Sequence, residues 1–335
     1  MANIYDKDGN IIDVGGSVTI QRQLMSGVPI AKINGTQLYA PDGGGGGNLP
    51  PLTGKTLVVF GDSAVAAGTW ASRMAATLGA NYQQFAMGGA TWRNKWTDEQ
   101  KTTFDNKTLG KRIELFEAWV NQGNIPDIIQ FQIGGNDIID GDIVENTDVD
   151  GNACSNYGSV QTAFKYLQYE KYQYCTTTAE CMRYYLELLR RQFPNALIVV
   201  GTIFQRYSTD PELITSKAIS DIIRDVCYRL GIQVIEGDKY IGFSQHTEAF
   251  YPRYTKDNGV TVLGGTPTKE NPYFCFMRDS DHAVVNVSEA EDSSGNVKTG
   301  YSVRYGLYTY DGKHVNDAGD DKVYNFMCAA LKSLV

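Results

Sequence analysis

The alternation of short apolar runs with helical stretches constrains the fold of this chain more than any other feature. Five β-prone runs follow one another after Thr56, and glycine-containing turns end the first three; the runs are Leu57–Phe60, Tyr82–Ala86, Ile128–Ile133, Ala196–Ile203 and Ile232–Ile235. Apolar residues at helical spacing fill the stretches between them. Because parallel strands need crossover connections, this pattern predicts a parallel sheet that helices cover on both faces.

The predicted helices complete this alternation. They cover Ala71–Leu78, Leu109–Val120, Thr162–Phe193, Pro211–Leu230 and Asp317–Leu334, the third as one long helical region. In the last helix, Val323, Met327 and Leu331 fall on one face, which is typical of a helix packed on a sheet. Cys227 and Cys328 lie in apolar helical runs and are expected to be small core residues.

Residues 1–48 differ in composition from the rest of the chain. Turn signals at residues 6–10 and 34–35 separate short β-prone runs, and the arm ends in Gly43–Gly47 before two prolines. A glycine run of this kind is typical of a linker. We therefore expect a small β-rich N-terminal arm that serves attachment or oligomerisation, and a larger α/β domain at residues 49–335.

Two polar, turn-rich insertions interrupt the larger domain, at residues 140–161 and 240–310. Both come after predicted strands, and the longer one has β-prone pieces at Val260–Leu263 and Tyr301–Tyr308. Insertions that follow strand C-termini border the ligand crevice of an α/β sheet. We expect these two insertions to influence which substrate is bound.

Composition disfavours several classes of protein. A net charge of −8 gives no sign of the basic face that binds phosphate backbones, so no nucleic-acid partner is expected. No stretch approaches the roughly 20 apolar residues of a membrane-spanning helix, and the first residues lack the basic and apolar regions of a secretory signal. The sequence therefore predicts a soluble protein without a signal peptide or membrane partner, either cytoplasmic or virion-associated.

The sequence signals for a metal site or a phosphate site are also weak. The cysteines form no CxxC pair and no histidine stands at ligand spacing, so no zinc site is expected; Cys175 and Cys181 could form a disulfide, which the sequence leaves open. Gly54–Thr56 lacks the upstream glycine of a phosphate-binding loop. Asn146–Gly151 copies the start of a calcium loop, but Tyr157 replaces its last glutamate, so a turn is expected.

Polar segments that could carry chemistry follow the first three predicted strands. Gly61-Asp62-Ser63 comes after the first strand, Gly88–Thr91 after the second and Gly134–Asp137 after the third. Because the carboxyl ends of parallel strands meet at one edge of a sheet, these segments are expected to converge. Far downstream, Asp311–His314 precedes the last helix and supplies a carboxylate and an imidazole.

This set of residues matches what acyl transfer requires: a nucleophile, a base, a group that orients the base, and donors for the oxyanion. Ser63 would be the nucleophile, His314 the base, and Asp311 the group that orients the imidazole. The backbone N–H groups of Ser63 and Gly89, with the side-chain amide of Asn136, would bind the oxyanion.

Two further acidic residues belong to the same segments. Asp62 and Asp137 are expected to brace their turns through hydrogen bonds and to take no direct part in the chemistry. His246 and His282 have no aspartate at matching spacing and are interpreted as ordinary loop residues.

Together these segments resemble the SGNH hydrolases, the superfamily of GDSL esterases and lipases. The matching blocks are Val59–Ser63, Gly88–Thr91, Gly134–Asp137 and Asp311–His314. The resemblance extends from about Thr56 to the C-terminus and implies a flavodoxin-like three-layer α/β/α sandwich that works without a metal or cofactor. Ala64 stands where the family's name motif has leucine, and the stretch before Asp311 is long for the family.

The resemblance implies hydrolysis of a carboxylic ester through an acyl-enzyme. The tyrosine-rich insertion and the lack of a long apolar lid favour a short acyl group, such as acetyl, on a carbohydrate. The segment Ile33–Pro41 is loosely similar to attachment modules of phage tails, which would make this a tail-associated glycan esterase, assembled as a homo-oligomer or on a virion through the arm. Two alternatives stay open: a non-catalytic carbohydrate-binding or structural tail module that keeps the fold, and a lysophospholipase or thioesterase with the same site.

Overall fold

The computed structural model describes residues 50–97, 103–137, 146–204, 210–243 and 274–335, with shorter stretches at 29–33, 36–39, 268–270 and 272. From the N-terminal arm these include one antiparallel strand pair, Pro29–Ile33 with Thr36–Tyr39. The glycine run of the arm and the β-prone segment predicted at Val260–Leu263 lie outside the described residues.

Five parallel strands form the central sheet: β1 (Thr56–Gly61), β2 (Asn81–Ala86), β3 (Ile128–Gln132), β4 (Leu197–Gly201) and β5 (Gln233–Ile235). Their order across the sheet is β2-β1-β3-β4-β5. This is the order of flavodoxin-like folds, in which ligands bind at the carboxyl ends of the strands beside the switch point. Gly61 lies in register with Ala86 and Gln132, so the turns after β1, β2 and β3 start at the same edge.

Helices cover both faces of this sheet. On one face lie α1 (Trp70–Leu78) and α5 (Asp317–Lys332); on the other lie α2 (Leu109–Val120), α3 (Thr178–Gln192) and α4 (Asp210–Leu230). Successive residues of β1 point to opposite faces, and both sets are buried because neither face meets water. The predicted three-layer α/β/α sandwich on a five-stranded parallel sheet is confirmed.

The single helical region predicted over Thr162–Phe193 is wrong. The chain instead forms a short helix (Val160–Ala163), a 3₁₀ turn (Tyr169–Tyr172) and then α3. The Arg183 guanidinium of α3 donates to the carbonyl of Ala163, the last residue of the short helix, and to two carbonyls that follow it. A side-chain cap from Thr177 starts α3. Such caps cannot be seen in the spacing of apolar residues, so the sequence pattern did not predict this break. Three other short helices lie at Ser63–Ala66, Gly237–Tyr240 and Val287–Ala290.

The described parts of the two insertions are rich in β-structure. The shorter insertion contains a two-residue strand pair closed by a turn, in which Asp148 Oδ1 accepts the backbone N–H groups of Asp150 and Asn152. The longer insertion contains an antiparallel sheet made by Phe274–Arg278, Val284–Val285 and Tyr301–Tyr305.

The cysteines occur as free thiols. Cys175 Sγ donates a hydrogen bond to Cys181 Sγ at 3.0 Å, and the two thiols form no disulfide. Cys227 is buried as expected, whereas Cys328 is only half-buried. Among the helices that the structure describes, none has both the length and the apolar character needed to cross a bilayer.

Candidate active site

The turn after β1 presents Ser63 at the carboxyl edge of the sheet. Gly61 allows the strand to turn directly into a short helix, because a Cβ at this position would lie only 2.2 Å from Val65 Cγ2. Asp62 caps that helix, since its Oδ1 accepts the Ala64 N–H at 2.9 Å. Ser63 is therefore fixed at the first helical position, half-buried at the edge of the crevice.

Two buried carboxylates tie the three strand-end turns together. Asp62 Oδ2 accepts the Gly135 N–H at 3.1 Å, which joins the first turn to the third. Asp137 accepts the N–H groups of Trp92 and Arg93 at 2.9 and 3.3 Å, which joins the third turn to the second. With exposures of only 2% and 0%, the two aspartates position the turns from behind and do not face the crevice.

Asp137 also binds the helical layer, because Thr178 Oγ1 of α3 donates to it at 2.9 Å. Burial raises the pKa of Asp137 to about 6, although hydrogen bonds from Trp92, Thr178 and Arg93 and the charge of Arg93 act in the opposite direction. The Asp137 carboxyl group therefore loses its proton at a much higher pH than an ordinary aspartate does.

A turn before α5 brings a histidine and an aspartate to Ser63. His314 Nε2 lies 2.9 Å from Ser63 Oγ, and His314 Nδ1 lies 2.6 Å from Asp311 Oδ2. Asp311 Oδ1 accepts the backbone N–H groups of Lys313 and His314 at 2.8 and 2.5 Å, so the turn fixes its own carboxylate. The result is a continuous hydrogen-bonded chain between side chains that are up to 251 positions apart in the sequence.

The surroundings of Asp311 keep it ionised. Burial alone would raise its pKa, but hydrogen bonds from the ring and backbone of His314 and from the Lys313 N–H outweigh this effect, and the pKa of Asp311 is lowered. A carboxylate at Nδ1 favours the tautomer that carries its proton there, which leaves Nε2 as an acceptor towards Ser63. Tyr310 stacks on the imidazole at a centroid distance of 5.8 Å and restricts its orientation.

Three candidate oxyanion donors lie on the turns after β1, β2 and β3: Ser63 lines one cleft, and Gly89 and Asn136 line another. Gly89 has a φ of +83°, a left-handed conformation that favours glycine. Within the described part of the chain, no acceptor takes up the N–H groups of Ser63 and Gly89. Asn136 Nδ2 donates one hydrogen to Ala90 O at 3.0 Å and has a second one to offer. Each of the three residues therefore has an N–H group that is still able to donate.

Two clefts flank these side chains. The cleft beside Ser63 and His314, of about 500 Å³, is also lined by Ala64, Ala67, Lys269, Tyr310 and Val315. The cleft beside Gly89 and Asn136, of about 570 Å³, is also lined by Thr91, Lys95, Asp105, Lys107 and Thr108. In the described residues, no three or more His, Cys, Asp or Glu side chains come together as a metal site would require.

The last helix, α5, supports the turn that carries Ser63 through hydrogen bonds to the start of α1. The buried carboxylate of Asp320 accepts the N–H groups of Thr69 and Trp70 at 2.9 and 3.1 Å, at the start of α1. Trp70 Nε1 in turn donates to Ala64 O at 2.8 Å, directly next to Ser63. Sequence analysis did not select Asp320, because partners 250 and 251 positions away leave no local signal.

Sequence analysis also missed the side chains that line the clefts. Tyr310 could have been found, since it directly precedes Asp311 and an aromatic ring there can stack on the imidazole. Lys95 and Lys107 stand in a polar stretch without apolar periodicity, so only their position beside Gly89 draws attention to them.

Comparisons with known proteins identify structural neighbours. No protein-family model and no curated protein matches the chain. Similar solved structures include a lipase/acylhydrolase from Enterococcus faecalis (15% identity, TM-score 0.37, 83% of this chain and 95% of that one). A second is LAE5, an alpha/beta hydrolase enzyme from the Lake Arreo metagenome (15% identity, TM-score 0.42, 84% of this chain and 97% of that one). A third is a GDSL-like lipase from Bacteroides thetaiotaomicron (11% identity, TM-score 0.38, 84% of this chain and 89% of that one).

Proposed function

We propose that this chain is a serine esterase that hydrolyses carboxylic esters through an acyl-enzyme. The hydrogen-bonded chain from Asp311 through His314 to Ser63, with links of 2.6 and 2.9 Å, carries the proposal. An imidazole between a carboxylate and a hydroxyl can accept the hydroxyl proton, which makes the serine oxygen nucleophilic. The N–H donors on the turns after β1, β2 and β3 support acyl transfer over simple proton transfer.

In the proposed reaction, Ser63 Oγ attacks the ester carbonyl carbon while His314 Nε2 accepts the hydroxyl proton. The tetrahedral intermediate collapses as His314 returns that proton to the departing oxygen, which leaves as an alcohol. Water then attacks the acyl carbon while His314 accepts one of its protons. As the bond from the acyl carbon to Ser63 Oγ breaks, His314 returns this proton to Ser63 Oγ and the carboxylic acid departs. Asp311 holds the Nδ1 proton and stabilises the imidazolium in both steps.

The oxyanion of each tetrahedral intermediate would be held by Ser63 N–H, Gly89 N–H and Asn136 Nδ2. A preorganised donor of this kind contributes roughly 3 kcal/mol to transition-state stabilisation. The bond to Ala90 orients the Asn136 amide, and the left-handed backbone fixes the Gly89 N–H, so neither has to reorganise during the reaction.

We extend the proposal to short acyl groups, acetyl above all, on a carbohydrate. Small side chains, Ala64 and Ala67, and the Tyr310 ring line the cleft beside His314. Small side chains leave room for a short acyl group, and an aromatic ring suits the apolar face of a sugar. A rate that rose steeply with acyl length on insoluble lipid would instead favour a lysophospholipase.

For residues 1–48 we propose attachment of this esterase to a phage or prophage tail, as an oligomer or within a virion. The glycine linker and the loose similarity of Ile33–Pro41 to tail attachment modules support this part. Native mass spectrometry of the chain with and without residues 1–48 tests it. An oligomer that is lost on truncation agrees with the proposal, and an unchanged mass contradicts it.

The central experiment compares hydrolysis of p-nitrophenyl acetate and butyrate by the wild type, Ser63→Ala and His314→Ala. We expect both variants to lose kcat by at least about 1,000-fold, because each removes a member of a unit that acts together. Ser72→Ala is the matched control, since Ser72 Oγ binds Thr69 O on α1 away from the cleft. Turnover that survives Ser63→Ala would place the chemistry elsewhere. A folded wild type without turnover would favour the non-catalytic module.

A further inference from the structure

The cleft beside the oxyanion donors differs from the rest of the molecule in charge. The protein as a whole has a net charge of −8. Among the side chains that line this cleft, Lys95 and Lys107 are positive and Asp105 is negative, while Thr91 and Thr108 are neutral. The immediate surroundings of Gly89 and Asn136 therefore carry an excess of positive charge within an acidic protein.

Lys107 lies directly over the backbone donor Gly89. A Cβ placed on Gly89 would be 3.1 Å from Lys107 Cδ and 3.7 Å from Lys107 Nζ. The Lys107 side chain is exposed, and it lies along the wall of the cleft that Gly89 also lines. Its ammonium group thus borders the candidate oxyanion site.

No acid neutralises this ammonium group in the described part of the chain. Asp105 is the nearest candidate by sequence, but its Oδ1 accepts the backbone N–H of Lys107 at 2.7 Å in a tight turn. Other lysines of the molecule do have carboxylate partners; Lys111, one helical turn further on, binds Glu114 Oε2 at 2.7 Å. Lys107 is therefore positioned but has no internal counter-ion.

The neighbouring cations reinforce this field. Partial desolvation, and then the charges of Arg93 and Lys107, lower the pKa of Lys95, while Asp105 and Asp137 act in the opposite direction. Arg93 itself is buried behind the cleft. A cluster of like charges that perturb one another is stabilised when an anion binds between them.

We propose that this cleft is an anion subsite, in which Lys107, assisted by Lys95, binds a carboxylate of the substrate close to the scissile ester. This inference rests on the proposed esterase function and makes it more specific: the preferred ester carries an acidic group. The carboxylate could belong to the acyl part, as in a half-ester of a dicarboxylic acid, or to the alcohol part, as in an acetylated acidic sugar. Lys107 selects the substrate and takes no part in proton transfer.

Two pairs of substrates test the proposal and separate these sources. In the first pair, 4-nitrophenyl hydrogen succinate is compared with its methyl ester, with spontaneous hydrolysis subtracted. In the second pair, acetate release from O-acetylated galacturonic acid is compared with release from its methyl ester. Within each pair only the carboxylate charge and one methyl group differ, so the ratio of kcat/KM reports the anion subsite.

We expect the wild type to prefer the free acid in one pair, and Lys107→Met to reduce kcat/KM for that acid by about 5- to 10-fold. The same variant should lower kcat/KM for the methyl ester by clearly less than for the acid. Lys107→Arg should retain the preference, and about 0.5 M NaCl should weaken it in the wild type. Lys111→Met is the matched control, because it removes a nearby lysine that does not line the cleft.

Three results would overturn the subsite: no preference for either acid, a preference for the methyl esters, or an equal loss on acid and ester in Lys107→Met. If the chain is not an esterase, none of the four substrates will turn over, which distinguishes this outcome from the three above. The anion subsite is then tested by binding. Calorimetric titration of the same acids and methyl esters into Ser63→Ala, with and without Lys107→Met, should show tighter binding of the acid that depends on Lys107, and equal binding refutes the subsite.

Discussion

The two halves of the candidate active site are held in place by different means. The donor half, with Ser63 and Gly89, sits at the ends of sheet strands, and carboxylates with exposures of 2% and 0%, Asp62 and Asp137, tie its turns together. The base half is a single turn in which the side chains of Asp311 and His314 are 14% and 32% exposed. Its hydrogen bonds are local, from Tyr310 N–H to His314 O and from backbone N–H groups to Asp311.

This difference separates stability from activity. A buried carboxylate that accepts several N–H groups cannot be removed without leaving donors unsatisfied, so a change in the donor half should reduce the free energy of unfolding. A half-exposed turn with local bonds can lose its charge while its backbone stays in place. Substitutions in the base half should therefore reduce kcat far more than they reduce stability.

The largest effect is expected for Asp311→Asn. The amide keeps an oxygen for the Lys313 and His314 N–H groups but no longer favours the productive imidazole tautomer, so kcat should fall by roughly 100- to 10,000-fold. Thermal unfolding should change little. Asp292→Asn is the control, since Asp292 Oδ1 likewise accepts two N–H groups, in an exposed turn of the longer insertion. A large loss of stability in Asp311→Asn would show that the two halves are held alike.

A smaller effect, on stability and activity together, is expected for Asp62→Ala. The variant leaves the N–H groups of Ala64 and Gly135 without their acceptor, which should cost roughly 2–4 kcal/mol in urea unfolding. Asp148→Ala removes a carboxylate that accepts two N–H groups in a more exposed turn, and it should cost less than about 1 kcal/mol. Equal losses in the two variants would contradict the role assigned to burial.

The smallest effect at neutral pH is expected for Asp137→Asn, which tests the donor half through pH. The pKa of Asp137 is about 6 in the folded protein against an ordinary value of 3.8, so between these values the folded state holds a proton that the unfolded chain has released. Stability should therefore fall as the pH rises through this window, by up to about 3 kcal/mol. Asp137→Asn has no titrating carboxyl group at this position, so this part of the decrease in stability with pH should be absent.

Urea unfolding of both proteins at about pH 4 and about pH 7 measures the slope. Asp127→Asn serves as a control of opposite sign. Despite partial desolvation, hydrogen bonds from Lys55 and the Thr56 N–H lower the pKa of Asp127, so its contribution is present above its ordinary pKa and is lost as the pH falls. Parallel pH profiles for the wild type and Asp137→Asn would refute the assignment.

Much of the sheet could be predicted because its cause is local. The five strands lie within two residues of their predicted bounds, since apolar runs and glycine turns mark them directly; helix α2 starts and ends where its periodicity does. The segments that carry Ser63, Gly89 and Asn136 meet because parallel strands end at one edge, which follows from the alternation alone.

The rest depends on contacts that no local pattern records. The break within the region predicted as one helix at Thr162–Phe193 comes from capping by Arg183, and the support of the serine turn comes from Asp320 in the last helix. The position of Lys107 over Gly89 is set by the tertiary arrangement of two loops. Which polar side chains form hydrogen bonds between distant segments depends on the three-dimensional arrangement, whereas the periodicity of apolar residues indicates only which positions are buried.

The separation of Ser63 from His314 by 251 positions has a consequence for biosynthesis. A ribosome releases the chain from its N-terminus, so the serine turn emerges long before the imidazole and before α5, which carries Asp320. Under the proposed function, a chain that ends before His314 would hold a nucleophile without its base. A chain that ends between His314 and α5 would keep the base, but its serine turn would lack the support of Asp320. We therefore expect ester turnover only from molecules that have been translated through α5.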